Sequence, residues 1–193
     1  MASKTEHKRK VVEILLLAFE QNKSVNYICC DDALRYTRIR LLMEYAYKVC
    51  NRYGKIFLSE DENACALVLF PDKRNSTFKS LFWDIKLAFQ VIGLDNISKI
   101  LKREKEIKKY HPVMPFYYLW FIGVHPYRQG MGKGSSMLQT VLADAKQMGR
   151  PVYLETSTLE NLPWYKRFGF TIYAEMDFGY RFFLLKNNTP ANE

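Results

Sequence analysis

The stretch that most constrains this fold is residues 116–135, FYYLWFIGVHPYRQGMGKGS. Residues 116–124 are apolar and aromatic, the composition of a strand. A turn at His125, Pro126, Tyr127 and Arg128 leads to three glycines at 130, 132 and 134, and a helical pattern begins straight after them. Strand, glycine loop and helix in that order present backbone N–H groups to an anion. Glycine takes positive φ and lets the backbone approach closely. The first helical turn adds unpaired N–H groups and the positive end of the helix dipole. Together they suit a phosphate group.

Three phosphate-loop patterns compete for this run. The Walker loop, G-x-x-x-x-G-K-S/T, fails at both ends: Tyr127 stands at the first glycine position and Gly134 follows Lys133. The Rossmann fingerprint, G-x-G-x-x-G, finds Gly130 and Gly132 but meets Ser135 at the third position, with Glu155 near the expected acidic place. It is weakened and stays open. A third pattern, Q/R-x-x-G-x-G/A, is met by Gln129, Gly132 and Gly134. Taken alone, the run also fits a left-handed glycine turn before an ordinary helix.

The order of elements narrows the choice. Val11, Val12, Leu15, Ala18 and Phe19 recur at helical spacing in residues 8–21, with Asn22 as a stop. Residues 24–30 are ambiguous. Asp31 and Asp32 open a second helix that Gly54 ends. Residues 55–60 and 64–70 read as a hairpin around Asp61, Glu62 and Asn63. Two helices are expected over 81–92 and 96–109. After the glycine loop, Met137, Leu138, Val141, Leu142, Ala145 and Met148 form an amphipathic stripe, closed by Gly149. A strand over 152–156, a short helix over 159–168 and strands over 170–174 and 180–185 complete the chain. Repeated βαβ units are missing, which disfavours the dinucleotide reading.

A second run lies about 30 residues beyond the first: Asn161, Leu162, Pro163, Trp164, Tyr165, Lys166, Arg167, Phe168, Gly169, Phe170. It is similar to the N-x-x-F/W-Y-x-x-x-G-F element on the last helix of the GNAT superfamily of acyl-CoA-dependent N-acetyltransferases. The first run resembles the glycine loop of the same family. The resemblance covers residues 54–186, and 8–50 more loosely. It implies an α/β (α+β) fold with a mixed, mostly antiparallel central sheet flanked by helices. The expected organisation is a single N-acetyltransferase domain over 1–193, with N-terminal helices at 8–50, a helical insertion at 74–110 before the central strand, and a CoA-binding and catalytic core at 116–186. The strand usual ahead of the first helix is either lost or lies within residues 2–7.

The resemblance also implies a chemistry. A neutral amine attacks the thioester carbonyl of acetyl-CoA directly, in a ternary complex. Tyr165 is then the general acid for the leaving thiolate; its alternative is a core ring beside Trp164 and Phe168. Main-chain atoms of Ile122 and Val124 pair with the pantetheine arm, and Gly123 between them marks a bulge. The N–H groups of Gln129, Gly130, Met131, Gly132, Lys133, Gly134 and Ser135 hold the pyrophosphate. Arg128 and Lys133 add charge, unless Lys133 is simply solvated. Asn161 bonds the pantetheine or positions Tyr165; its alternative is a helix cap. Glu155 is the best-placed carboxylate for a general base, directly or through water, and a surface or structural glutamate is its alternative. His111 and His125 qualify by chemistry only, with His125 facing solvent. A catalytically silent acyl-CoA-binding or regulatory module on the same fold is the competing function, and retention of Tyr165 favours the enzyme.

Composition bounds the partners. The formal net charge of +9 fits a cofactor carrying several phosphates as well as it fits a nucleic acid. No nucleic-acid motif accompanies it, so a nucleic-acid partner is disfavoured, and the basic residues in 99–109 read as a solvated face. The acceptor is expected to be a small-molecule or peptide amine near Tyr117, Tyr118, Trp120 and the insertion. Carboxylates look too scattered for a polyamine. Cys29, Cys30, Cys50 and Cys65 include no C-x-x-C pair and no histidine pair has zinc spacing, so no metal is expected. The cysteines read as small buried residues of a reducing, cytoplasmic compartment. No apolar run is long enough to cross a bilayer. Glu13 and Glu20 make the N-terminal apolar run a helix rather than a leader, and Ala2 excludes myristoylation. A homodimer is left open.

Overall fold

In a computed structural model the chain is described over residues 4–29, 32–74, 91–93 and 96–188. The second strand, β2 (Ala64–Leu69), is buried at all six positions, so helices cover both of its faces. It pairs antiparallel with β1 (Gly54–Leu58), from Gly54 opposite Leu69 to Leu58 opposite Cys65. The hairpin turn is tied by the Ser59 hydroxyl, which accepts from the Asn63 and Ala64 N–H groups at 3.1 and 2.9 Å. Gly54 admits no side chain: a Cβ there would lie 1.8 Å from the Val68 carbonyl oxygen.

Three helices precede the hairpin: α1 (Lys4–Phe19), α2 (Lys23–Ile28) and α3 (Arg35–Tyr53). Residues 4–7 are helical, so among the described residues no strand precedes α1. Asn22, expected as a stop, caps α2: its side chain accepts from the Ser24 and Val25 N–H groups. After the hairpin come α4 (Ile97–Lys108) and β3 (Tyr117–Val124). Then follow α5 (Lys133–Gln147), β4 (Val152–Thr156), α6 (Leu162–Arg167), β5 (Thr171–Asp177) and β6 (Arg181–Asn187). The helix expected over 81–92 lies mostly outside the described residues.

The sheet order is β1-β2-β3-β4-β6-β5, and every pairing is antiparallel except β3 with β4. This is the mixed, mostly antiparallel sheet the sequence implied. Alternation sorts the core into two layers. Cys65, Leu67 and Leu69 of β2 meet α1 and α3, while Ala64, Ala66 and Val68 meet α5 and α6. On the α1 side, Ile107 of α4 packs on Phe182 and Leu184 of β6. Arg103, expected on a solvated face of α4, is instead 4% exposed. Cys29, Cys50 and Cys65 are buried, and burial pushes the thiols of Cys50 and Cys65 well above the usual range.

Candidate active site

The parallel pair β3 and β4 is joined only at Tyr117 with Val152 and Tyr118 with Tyr153. Beyond these residues pairing stops, and a cleft of about 970 Å³ opens with both strands on its walls. Leu67 of β2 faces Phe121 while Val68 faces Leu119, so Trp120 is an extra residue on β3. That is a bulge. It falls at Trp120 and not at Gly123, which pairs regularly with Cys65. Gly123 answers to helix packing instead: a Cβ there would meet Leu15 Cδ2 at 3.0 Å and Ala18 Cβ at 3.2 Å.

The strand edge facing the cleft follows from the register. His125 donates its backbone N–H to the Asn63 carbonyl at 2.8 Å. Hydrogen-bonded positions alternate along an antiparallel pair. Phe121 and Gly123 therefore turn their backbone groups toward β2, and Ile122 and Val124 turn theirs toward the cleft. Gln129 Nε2 reaches the Val124 carbonyl from that side at 3.2 Å.

The glycine loop closes one end. A 3-10 turn, Pro126–Arg128, leads into Gly130 and Gly132, both at φ 76. Nothing lies within 4 Å of a Cβ at either glycine, so left-handed backbone and not space requires them. At Gly134 a Cβ would make ordinary contacts, with Val124 Cγ2 at 3.4 Å and Trp164 Cζ2 at 3.7 Å. Helix α5 starts at Lys133 with no side-chain cap, leaving its first N–H groups for another acceptor. Trp164 Nε1 donates to Ser135 Oγ at 3.0 Å, locking α6 to the start of α5. Lys133, on the cleft wall, pairs with the Asp61 carboxylate of the hairpin turn and holds that carboxyl well below the usual range. Arg128 is exposed on the cleft wall, whereas Met131, 62% exposed, is not on that wall.

Across the cleft stands α6. Tyr165 is 5% exposed, with Trp164 and Phe170 rings packed at 4.7 and 5.6 Å. The ring belongs to the core, and the residue also lines the cleft. Burial pushes its hydroxyl above the usual tyrosine range. Asn161 lines the cleft too and makes no side-chain cap bond, so its capping alternative falls away.

Glu155 projects from β4 to the other face of the sheet. Its side chain is 9% exposed, and His111 Nε2 lies 2.9 Å from one carboxylate oxygen. The Tyr118 hydroxyl donates to the other oxygen. Burial, then the charge of Glu155, raises the Tyr118 hydroxyl well above its ordinary value. Chemistry had made His111 a candidate; the fold brings it to Glu155. His125 stands apart, half-buried in its turn against Tyr127. Glu104 and Glu155, far apart in sequence, line the same cleft, so the carboxylates are less scattered than they looked.

Comparison with known proteins follows the same outline. Residues 103–170 match the model of the acetyltransferase (GNAT) family. An uncharacterized N-acetyltransferase of Schizosaccharomyces pombe is 39% identical over 54 residues, 28% of this chain and 22% of that protein. The match thus spans about a fifth of that relative's length. A Corynebacterium glutamicum structure described as histone acetyltransferase HPA2 and related acetyltransferase is 20% identical, with a TM-score of 0.72, over 100% of this chain and 94% of its own. Arylalkylamine N-acetyltransferase 2 of Aedes aegypti is 14% identical with a TM-score of 0.64, over 98% of each chain. At such identities the structural likeness is one of fold.

Proposed function

We propose that this chain, a member of the GNAT family of acetyltransferases, is an acetyl-CoA-dependent N-acetyltransferase that passes the acetyl group directly to a primary amine. The observation that carries this reading is the meeting of three parts in one cleft. They are the open backbone edge at Ile122 and Val124, the Gly130–Gly132 turn at the uncapped start of α5, and Tyr165 on the facing helix.

These residues fit the cosubstrate. The turn and first N–H groups of α5, from Gln129 to Ser135, suit a diphosphate, and Arg128 adds charge beside them. Ile122 and Val124 offer a strand edge to the amide groups of a pantetheine arm, with the Gln129 side chain yielding the Val124 carbonyl. Asn161 supplies a further polar group on the wall.

Each step then has a residue. Glu155 accepts a proton from the ammonium, directly or through water, held in place by His111 and Tyr118. The freed nitrogen lone pair attacks the thioester carbonyl carbon. The strand edge donates N–H groups to the developing oxyanion. As the C–N bond forms and the C–S bond breaks, the nitrogen gives up its second surplus proton to water and Tyr165 gives its own proton to the thiolate. Burial keeps that proton on Tyr165 at neutral pH, and solvent returns it after release.

The test is thiol release from acetyl-CoA in the presence of a panel of amines. Amine-dependent release by the wild-type protein, with a matching acetylated product, is expected. Acetyl-CoA binding with no turnover on any amine or peptide would favour a silent acyl-CoA-binding module instead.

A further inference from the structure

Resting on the acetyl-CoA reading above, we propose that Arg167, together with Arg128, forms a subsite for the ribose 3′-phosphomonoester of the cosubstrate. Arg128 ends the 3-10 turn that enters the glycine turn, and Arg167 ends α6. Both are exposed on the cleft wall. Among the described residues neither side chain makes a hydrogen bond or an ion pair. The other cations of the wall are engaged or lie elsewhere. Arg74 donates to the Tyr45 hydroxyl at 3.0 Å, Arg103 reaches Glu104, Ser24 and Tyr180, and Lys133 pairs with Asp61. Lys108 belongs to α4, on the other face of the sheet, and so do the wall's acids among the described residues, Glu104 and Glu155.

Trp164 fixes where Arg167 stands. Its Nε1 donates to Ser135 Oγ at 3.0 Å, in the first turn of α5. Arg167 follows three residues later, on the same face of α6. Its side chain therefore starts about one helical turn beyond the N–H groups that suit a diphosphate. Helix capping makes no claim on it. The Tyr165 carbonyl accepts from the Phe168 and Phe170 N–H groups at 3.0 and 3.2 Å, and the Lys166 carbonyl from Gly169 at 3.0 Å. The Phe168 carbonyl accepts from Asn187 Nδ2 at 2.7 Å.

The cosubstrate carries phosphate of two kinds. Its diphosphate suits the backbone donors of the turn and the start of α5. Its phosphomonoester is a compact group of charge about −1.5 to −2 at neutral pH, with three terminal oxygens. A guanidinium meets two such oxygens at once. A guanidinium on the wall beyond the backbone donors is the group that distinguishes CoA from its 3′-dephospho form.

The test is calorimetric titration with acetyl-CoA and with 3′-dephospho-acetyl-CoA. The wild-type protein should bind acetyl-CoA about tenfold more tightly than the dephospho ligand. That difference should shrink as salt rises, because both arginines are exposed. Arg167→Gln should weaken acetyl-CoA by about tenfold and leave the dephospho ligand within about twofold. Arg167→Lys, which keeps the charge and loses the fork, should retain part of the preference. Arg128→Gln, beside the diphosphate donors, should weaken both ligands and lower the ratio between them. Circular dichroism should show each variant folded. Equal wild-type affinity for the two ligands, an unchanged acetyl-CoA affinity in Arg167→Gln, or a loss there that falls equally on both ligands would overturn the proposal. If both ligands bind the wild-type protein without discrimination, only this inference fails. If neither binds, the acetyl-CoA reading fails and the inference with it.

Discussion

Trp120 and Phe121 are consecutive in β3, yet both turn to the α1–α3 side of the sheet, with ring centroids 5.6 Å apart. A regular strand would send them to opposite faces. The extra residue inverts the rest of β3. Ile122 and Val124 then pack toward α5 and α6, and their backbone groups face the gap where β4 has parted. One inserted residue thus positions both the side chains and the edge of the cleft.

Gly123 tests that packing. Its α-hydrogens face Leu15 and Ala18 of α1 at distances that leave no room for a branched side chain. Gly123→Val should destabilise the fold by about 1–3 kcal/mol through overpacking. Urea denaturation would show it as a lower midpoint at unchanged slope. An unchanged midpoint would mean α1 does not lie on β3 as described.

Tyr165→Phe keeps the ring and removes the proton. With its Trp164 and Phe170 contacts intact, stability should change little, while kcat should fall by about 10²- to 10⁴-fold, the usual weight of a general acid. The acetyl-CoA KM should stay within a few-fold. Since burial holds the Tyr165 proton above the ordinary tyrosine range, the wild-type rate should show no loss of this acid below about pH 10. An undiminished kcat in the variant would assign Tyr165 to the core alone.

Alkaline stability follows from five tyrosines among the described residues. Burial is the first cause raising Tyr47, Tyr117, Tyr118, Tyr165 and Tyr173. Their folded values lie above the unfolded one of about 10, so the folded chain holds these protons more tightly. The stabilisation is full below that pH and is lost as pH rises toward the folded values. Melting temperature should therefore decline above about pH 10, with a shallower slope in Tyr165→Phe. A flat profile to higher pH would contradict the burial of these hydroxyls.

Arg103 ties α4 to α2 and to the β5–β6 turn through Ser24 and Tyr180. Arg103→Ala should cost about 3 kcal/mol, since it removes a buried charge and strands its partners. Arg103→Lys should recover only part of this, because an ammonium cannot reach three partners in one plane. Chemical denaturation of the two variants distinguishes the geometry from charge alone.

Local signals in the sequence were reliable where one residue type does one local job. Glycines at 130, 132 and 149 all take positive φ, and the stripe from Met137 to Ala145 is the buried face of α5. The strand over 152–156 is β4 to the residue. Long-range relationships were hidden. An unbroken aromatic run carries no mark of which residue is extra, so the bulge was placed at Gly123. Glu155 meets His111 and Tyr118 only because β3 and β4 pair at their first residues. The burial of Arg103 did leave a signal: it lies three residues from Ile100 and four from Ile107, inside the apolar stripe of α4. The lysines around it masked that spacing. Lys133 could not be read because its partner Asp61 belongs to a distant turn.

The central claim is that the glycine turn and the open edge of β3 form an acyl-CoA site. Calorimetric titration with acetyl-CoA and, separately, NAD tests it most directly, on the wild-type protein and on Gly132→Glu. The variant forces a side chain into left-handed backbone at φ 76 and brings a negative charge to the start of α5. The account predicts acetyl-CoA binding with a micromolar Kd, no NAD binding, and loss of acetyl-CoA binding in a variant that remains folded by circular dichroism. Well-folded wild-type protein that binds no acetyl-CoA would contradict both the site and the enzyme, and leave only the fold.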